Sequence, residues 1–348
     1  MNGKSVQDTV RKTVKIKFVG FNWPGFTPEE NIVYRILEKY YDVVITDDPD
    51  YIICSIFGEE YEYCKYPQVR IMCIGEDYVP DFNLIDYSIS RFPIDYFDRN
   101  FYLIGCADNY KGQRWYDLET KDRNYDKSFL EKKDIFANFI ASHESDQNMR
   151  GDFFKELCKY KKVLSFGSYL NNTDGMTVNF QDDSKTEIQR RSKFSLCFEA
   201  LKHEGFITEK ISDAFYADSI PVYFGSSNIT DIFNEKAFIC CKSREDFQNT
   251  IDRIIELDQN DEKYMEMLRQ PIFVRPDYPS YTQRKLEEFV LNIFDQPLDQ
   301  AYRRSTVFWG KTFNDYILET KRRAYGGDDI FSKARRKISY MMEKSKAK

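Results

Sequence analysis

Residues 193–225, KFSLCFEALKHEGFITEKISDAFYADSIPVYFG, carry the sequence pattern that decides the fold. An apolar run over 194–198 predicts a strand, apolar residues over 207–215 recur at helical spacing, and a second apolar run over 220–224 predicts another strand. Strands and helices that alternate in this way form open α/β sheets, which bind ligands beyond the carboxyl ends of their strands. The pattern therefore predicts a mostly parallel sheet with a ligand site near the start of the helix.

Lys210 stands at an unusual position in this pattern. Thr208 has the residue type of a helix N-cap, which puts Lys210 in the first turn, where the helix dipole disfavours a cation by about 0.3–1 kcal/mol. Either a bound anion such as a phosphate compensates this charge, or Lys210 forms a surface ion pair with Asp213 at i,i+3. Because surface ion pairs are common, the spacing alone favours the ion pair.

The length and charge of the chain limit its organisation and its partners. The chain has 348 residues, and single cores rarely exceed about 250–300 residues, so two lobes with a crevice between them are expected. A net charge of -6 indicates that the chain as a whole does not bind nucleic acid. No Gly-x-Gly-x-x-Gly or Gly-x-Ser-x-Gly motif occurs, which argues against a dinucleotide dehydrogenase and against a hydrolase.

Histidines are sparse in this chain, and the cysteines lack the spacing of a metal site. The eight cysteines include no Cys-x-x-Cys motif and several lie in apolar runs, so we expect buried reduced thiols in a cytoplasmic protein. With only His143 and His203 available, no zinc site is expected. The triplet Asp48-Pro49-Asp50 contains a central proline and predicts a turn rather than a metal site. The chain contains no run of about 18 apolar residues, so neither a membrane span nor a signal peptide is predicted.

Two series of strands and helices are predicted along the chain. In the first series, Glu76 and Asp77 directly follow a strand at 69–74, which is where open α/β sheets place ligands, although an acidic surface loop gives the same sequence more often. A polar, weakly periodic segment over 108–133 is expected to lie on the surface before the second series begins. In that series Arg150 opens a helix, and its charge requires a nearby anion, either a ligand or the neighbouring Glu144 or Asp146.

The segment from Lys321 onward has a composition opposite to that of the rest of the chain. It carries ten basic residues against three acidic ones. Its apolar residues Ala334, Ile338, Met341 and Met342 fall on one face of a predicted helix. This is the pattern of a basic amphipathic helix that lies on an anionic membrane, and a solvated tail fits it equally well.

Separate motifs between about residues 69 and 270 point to one family. They are FSLCFE at 194–199, GFITEKI at 205–211, DAF at 213–215, IPVYFG at 220–225, RIMCIGED at 70–77, DFNLIDY at 81–87, KKV at 161–163 and GSYLNN at 167–172. Together they resemble glycosyltransferase family 10, the α-1,3-fucosyltransferases, and particularly its bacterial members. The first sixty residues and the basic tail resemble the family only loosely.

The resemblance implies a fold and a reaction. The expected fold class is α/β with GT-B architecture, in which two Rossmann-like lobes face a central cleft. We expect an acceptor-binding lobe at 1–133, a donor-binding lobe at 134–317 and a basic tail at 318–348. The implied reaction is an inverting, metal-independent transfer of L-fucose from GDP-β-L-fucose to the N-acetylglucosamine of a lactosamine-type glycan. No cofactor is implied, and the tail would hold a cytoplasmic enzyme on the inner membrane face.

The resemblance also implies roles for individual residues. Glu76 matches the family's general base, which takes the proton of the acceptor hydroxyl. The matches to the donor site are Arg150, Glu209, Lys210, Ser142 and Phe206, with the two cations on the diphosphate. Asp77 could share the base role because two neighbouring carboxylates split their pKa values. Trp23, beside Phe21 and Phe26, either stacks on an acceptor sugar or belongs to the core, and its apolar neighbours favour the core.

Three positions depart from the family's pattern. Phe206 replaces a tyrosine, and Ala200 and His143 replace asparagines. Each lost hydrogen bond is typically worth about 0.5–1.5 kcal/mol. Two alternatives therefore stay open, namely a GT-B transferase that uses another sugar nucleotide and a nucleotide- or glycan-binding protein without catalytic activity.

Overall fold

The computed structural model describes residues 11–107, 112–179, 182–304 and 308–325, together with residues 334, 337 and 338. Over these residues the chain forms two parallel sheets, one of six strands and one of five. Helices cover both faces of each sheet, because strands that are buried on both sides need an apolar partner on both sides. The predicted α/β fold class with two lobes is confirmed.

The first sheet has the strand order β2-β1-β3-β4-β5-β6, and all neighbouring strands are parallel. Helix α1, Ile32–Tyr40, begins after the N-cap Asn31 and packs its apolar side on this sheet. The strands are β1 Thr13–Val19, β2 Asp42–Ile45, β3 Tyr51–Cys54, β4 Val69–Cys73, β5 Tyr87–Ser90 and β6 Asn100–Tyr102.

The second sheet has the order β11-β10-β9-β7-β8 and is also entirely parallel. Its strands are β7 Ile135–Phe139, β8 Val163–Ser165, β9 Ser192–Phe198, β10 Ile220–Phe224 and β11 Ile239–Cys240. Its helices are α3 Met149–Cys158, α4 Ser184–Arg191, α5 Glu209–Tyr216, α6 Phe247–Gln259 and α7 Asp261–Leu268. The predicted strand, helix and strand over 194–224 are therefore confirmed as β9, α5 and β10.

The last helices return to the first lobe. Helix α8, Tyr278–Asp295, buries Leu286, Val290 and Phe294 in the same core as the first sheet, and α9, Leu298–Ala301, follows it there. The Phe294 ring lies 4.4 Å from the Tyr51 ring of β3. The division of the chain thus differs from the predicted one, in which 134–317 forms the second lobe, because the apolar side of α8 matches the first sheet.

Two further segments differ from expectation. Helix α2, Gly112–Asp117, lies in the segment predicted as polar surface, yet it buries Trp115 in a core shared with Phe215 of α5. Helix α10, Phe308–Tyr325, packs Leu318 against the first lobe and donates a hydrogen bond from the Lys321 Nζ to the Glu60 carbonyl.

Most of the predicted amphipathic tail lies outside the described residues, including Met341 and Met342. The described tail positions Ala334 and Ile338 are helical and exposed. No helix in the described part of the chain combines the length and the apolar composition needed to cross a membrane.

The carboxyl ends of the two sheets face each other. After β6, the Gly105 N–H donates to the Ile207 carbonyl at 2.7 Å, and the Tyr102 hydroxyl donates to the Gly205 carbonyl at 2.9 Å. A Cβ atom on Gly105 would lie 2.9 Å from the Ile207 oxygen, so only glycine permits this approach. The loop before α5 in the second lobe is therefore fastened to the end of the first sheet.

A buried carboxylate ties the returning chain to the first sheet. Asp86 is fully buried and accepts hydrogen bonds of 2.7 Å from the backbone N–H groups of Arg70, Arg303 and Arg304, and it forms an ion pair with the buried Arg304 guanidinium. Asp86 directly precedes β5, so these bonds fix the chain beyond α9 at the start of that strand.

Replacing Asp86 by alanine is expected to destabilise the protein by about 3–5 kcal/mol, because the buried Arg304 charge would lose its partner. Urea-induced unfolding measures this change in the free energy of unfolding. The matched control is Asp48→Ala, which removes an exposed carboxylate 3.9 Å from the Lys15 ammonium and should leave that free energy nearly unchanged. Equal stabilities of the Asp86 and Asp48 variants would contradict this role of Asp86.

Candidate active site

A fully buried carboxylate organises the start of α5. Glu199 directly follows β9, and its carboxylate accepts hydrogen bonds from the Thr208 backbone N–H at 2.8 Å, the Thr208 hydroxyl at 2.9 Å and the Lys210 ammonium at 2.8 Å. Three donors, one of them charged, satisfy a group that would otherwise be costly to bury. The loop between β9 and α5 is thereby closed onto itself.

Lys210 is paired differently from the prediction. Asp213, its expected partner, instead binds the buried Lys185 ammonium of α4 at 2.7 Å. Burial lowers the pKa of Lys210, but the carboxylates of Glu199 and Glu209 outweigh this effect and raise the pKa above its ordinary value. Lys210 therefore keeps its charge, and because Glu199 supplies a local anion, its position alone does not require a bound phosphate.

Arg150 also has partners within the protein. It is the second residue of α3 and is buried, and its guanidinium donates to the carbonyl oxygens of Phe198 at 2.9 Å and His143 at 3.1 Å. The carboxylate of Glu144 accepts from the Gly151 N–H at 3.2 Å, at the start of the same helix. The start of this helix was predicted to have either a bound ligand or a neighbouring carboxylate as its anion, and Glu144 supplies the neighbouring carboxylate.

Glu209 lies at the start of α5 between two lysines. Its carboxylate is 3.8 Å from the Lys185 ammonium. Burial raises the pKa of Glu209, but the charges of Lys210 and Lys185 lower it overall, to about 2. Glu209 is therefore ionised at neutral pH. Arg150, Glu199, Glu209 and Lys210 influence one another's charges and so form one cluster at the carboxyl ends of β7 and β9.

The facing edge of the first lobe presents Glu76. It follows β4 by three residues and is exposed, and its carboxylate has no hydrogen bond or ion pair to another residue of the described chain. The next residue, Asp77, places its Oδ1 2.5 Å from the His203 Nε2 in the second lobe. The His203 ring in turn stacks on Phe92 of the first lobe, with ring centres 4.7 Å apart. Glu76 therefore lies beside a direct contact between the two lobes.

The other predicted site residues are spread along these edges. Ser142 is exposed just beyond β7, and Phe206 is buried with its ring centre 5.0 Å from that of His203. Trp23 is not a core residue, contrary to the explanation that its neighbours favoured, because 41% of it is exposed. Its ring centre lies 5.2 Å from that of Phe57, which is not among the predicted site residues.

Two residues of this cluster, Glu199 and Lys185, were not predicted from the sequence. A carboxylate directly after a buried strand was a usable signal for Glu199, since ligands bind at such ends. Lys185 carried no such signal, because its partners Asp213 and Glu209 meet it only in the folded chain. No group of three or more His, Cys, Asp or Glu residues within the described ranges has the arrangement of a metal site.

The geometry suits the transfer of a group from an anionic carrier. Lys210 and Arg150 provide fixed positive charge at one edge, and Glu76 provides a free carboxylate at the opposite edge. A cation pair stabilises a departing phosphate, and a free carboxylate accepts a proton from an attacking hydroxyl. The contact between Asp77 and His203 joins the loops of these two edges.

Comparisons with known proteins point to one family. The sequence model of the family "Glycosyltransferase family 10 (fucosyltransferase) C-term" matches residues 130–276, and that of the "Alpha-(1,3)-fucosyltransferase FucT N-terminal domain" matches residues 16–104. Alpha-(1,3)-fucosyltransferase FucT of Helicobacter pylori is 27% identical over 87% of this chain and 70% of its own length. GDP-fucose protein O-fucosyltransferase 3 of Xenopus laevis is 32% identical, but over only 40% of this chain and 32% of its own length.

Solved structures show the same fold. A crystal structure of an alpha1,3-fucosyltransferase superposes with a TM-score of 0.65 at 22% identity, covering 83% of this chain and 93% of that protein. A second, solved with GDP-fucose, has a TM-score of 0.62 at 23% identity and covers 85% and 95%. The predicted GT-B architecture is therefore confirmed. Since the two family models between them match both lobes and most of the chain, this protein belongs to glycosyltransferase family 10, the fucosyltransferases.

Proposed function

We propose that this protein is an inverting α-1,3-fucosyltransferase that moves L-fucose from GDP-β-L-fucose to the N-acetylglucosamine of a lactosamine-type glycan, giving a Lewis-antigen-like product. The observation that carries the proposal is the unpaired, exposed Glu76 beside the 2.5 Å contact between Asp77 and His203. That contact joins the loop of Glu76 to the loop that leads into Lys210. This contact supports the proposal that the general base and the phosphate-binding cations face one cleft.

The donor diphosphate is proposed to bind Lys210 and Arg150. A lysine ammonium has three N–H donors, and Lys210 uses two of them on Glu199 and Thr208, which leaves one for a phosphate oxygen. An arginine guanidinium has five N–H donors, and Arg150 uses two of them on main-chain carbonyl oxygens. Both side chains are held by the protein before a ligand arrives, so little reorganisation is needed to stabilise the leaving group.

The other predicted donor residues complete this side. Glu209, ionised between Lys210 and Lys185, is suited to accept hydrogen bonds from hydroxyl groups of the guanosine ribose or the fucose. Ser142 and Phe206 are proposed to line the same side. The reaction needs no metal in this scheme, because the lysine and the arginine carry the positive charge.

The transfer itself is proposed as one in-line displacement. The acceptor hydroxyl oxygen forms a bond to the anomeric carbon of fucose from the face opposite to GDP, and the bond from that carbon to the phosphate oxygen breaks. The bonding electron pair leaves on GDP, and the acceptor proton passes to the Glu76 carboxylate. Attack from the opposite face turns the β-linked donor into an α-linked product. Asp77 and Trp23 are proposed acceptor-side residues.

The proposed setting is the cytoplasm. The eight cysteines are all free thiols, as expected for a reducing compartment. Contact of residues 321–348 with an anionic membrane remains part of the proposal and is not needed for the chemistry. Partners are otherwise limited to the donor and the glycan acceptor, without nucleic acid.

The two alternatives are separable by experiment. A panel of GDP-fucose, GDP-mannose and UDP-sugars tests the donor, and we expect transfer from GDP-fucose alone. Release of GDP from GDP-fucose that depends on a lactosamine acceptor would exclude a binding protein without catalytic activity. Transfer from another sugar nucleotide, or GDP release that ignores the acceptor, would count against the proposal.

Replacing Glu76 by glutamine is expected to lower kcat by about 100-fold or more, because glutamine cannot accept the proton of the acceptor hydroxyl. The affinity for GDP should not change, which isothermal titration calorimetry measures beside the transfer assay. The matched control is Glu60→Gln, another exposed carboxylate at the same end of the first sheet. Full turnover in the Glu76 variant would remove this residue from the mechanism.

Replacing Lys210 by methionine is expected to raise the dissociation constant of GDP at least tenfold, since it removes a charged hydrogen bond to phosphate worth about 1.5–3 kcal/mol. Titration calorimetry measures this change. Lys155→Met serves as the control, because Lys155 lies on an exposed side of α3, 3.9 Å from Asp152. Unfolding curves of both variants establish that they are folded, and equal GDP affinities would argue against phosphate binding by Lys210.

A further inference from the structure

An exposed aromatic pair stands at the carboxyl end of the first sheet. Trp23 follows β1 and Phe57 follows β3, and they are 41% and 45% exposed. Their rings meet nearly at a right angle, at 82° and with centres 5.2 Å apart, so they form an apolar corner. Large aromatic side chains left exposed together commonly mark a binding surface.

Neighbouring aromatic rings and a close backbone contact hold this corner in place. The rings of Phe21 and Phe26 stack on each other at 4.6 Å and lie 5.3 Å and 5.1 Å from Trp23. The two loops also touch through their backbones, since a Cβ atom on Gly58 would lie 2.5 Å from the Gly20 Cα. Gly20 has a φ of +81°, which a side chain would disfavour. Two glycines therefore fix the distance between the loops.

A carboxylate borders the corner. The Glu62 Oε2 lies 2.7 Å from the point that a Gly58 Cβ would occupy, and Gly58 directly follows Phe57. Within the described ranges no hydrogen bond satisfies the Glu62 carboxylate, so it can accept bonds from ligand hydroxyl groups. Aromatic faces with one nearby carboxylate suit a neutral sugar ring, which has an apolar C–H face and hydroxyl groups at its rim.

The position of the corner indicates which sugar of the acceptor would bind there. Strand β3 neighbours β4, the strand that leads to Glu76, and β1 is the next strand along. Neighbouring strands are about 4.8 Å apart, so the corner lies one to two strand spacings from Glu76 along the same edge. A sugar at Glu76 would thus place its neighbour in the glycan on the aromatic corner.

We infer that Trp23, Phe57 and Glu62 form an acceptor subsite that binds the neutral hexose adjoining the sugar that receives fucose. The inference rests on the proposed function, because it needs an acceptor at Glu76. It assigns the extra affinity of a disaccharide acceptor to two aromatic faces and one carboxylate. A monosaccharide acceptor reaches Glu76 but not this subsite.

The test compares two acceptors, N-acetyllactosamine and N-acetylglucosamine, in the wild-type protein and four variants. For Trp23→Ala and Phe57→Ala we expect the KM of the disaccharide to rise about tenfold, equivalent to about 1.4 kcal/mol, with the KM of the monosaccharide and of GDP-fucose unchanged. Phe57→Trp should keep the disaccharide KM because it retains an aromatic face. Phe97→Ala is the matched control, since Phe97 is 83% exposed and precedes β6 at the opposite end of the sheet.

The outcomes separate this inference from the proposed function. If the wild-type protein transfers fucose but the alanine variants keep its ratio of the two acceptor KM values, the subsite is overturned and the proposed function stands. Loss of binding to anionic vesicles with that ratio retained would assign the rings to a membrane and also overturn the subsite. If the wild-type protein transfers fucose to neither acceptor, the proposed function fails and the subsite with it.

Discussion

The buried carboxylate of Glu199 is the group on which the second-lobe part of the candidate site depends. A carboxylate withdrawn from water costs several kcal/mol unless it is fully paired. Glu199 meets this requirement with the N–H and the hydroxyl of Thr208 and with the ammonium of Lys210. Those bonds determine where the loop after β9 ends and where α5 begins. The position of Lys210 therefore follows from the need to satisfy one buried charge.

The same loop joins the two lobes. Its middle is fastened to the first lobe at Gly205 and Ile207, and its His203 contacts Asp77 next to Glu76. One segment of about ten residues thus contacts the residue next to Glu76 and leads into the helix that carries Lys210. The departure from the family's tyrosine falls here as well. Phe206 is accommodated in an aromatic contact with His203, so the missing hydroxyl leaves a ring that packs without a polar partner of its own.

Each cation of the cluster has hydrogen-bond partners inside the protein. Lys210 has Glu199, Lys185 has Asp213, and Arg150 donates to two carbonyl oxygens. The proposed donor side is therefore a set of prearranged hydrogen-bond donors rather than an open basic patch. Such prearranged charges act strongly on a leaving group because they need not reorient during the reaction. The mild negative charge of the whole chain is compatible with this local arrangement.

The sequence by itself determined the fold class and the β9-α5-β10 unit, because apolar periodicity is local and can be read without knowledge of contacts. The family was indicated by the resemblance of its motifs. The sequence also selected Glu76, Arg150 and Lys210 as candidates from their places at strand and helix ends. Only the tertiary structure showed that Lys210 pairs with Glu199 rather than with Asp213. It also decided that α8 returns to the first lobe and that Trp23 lies at the surface beside Phe57. Those outcomes depend on which distant segments meet, and a charge or a ring is satisfied by what lies next to it in space rather than in sequence.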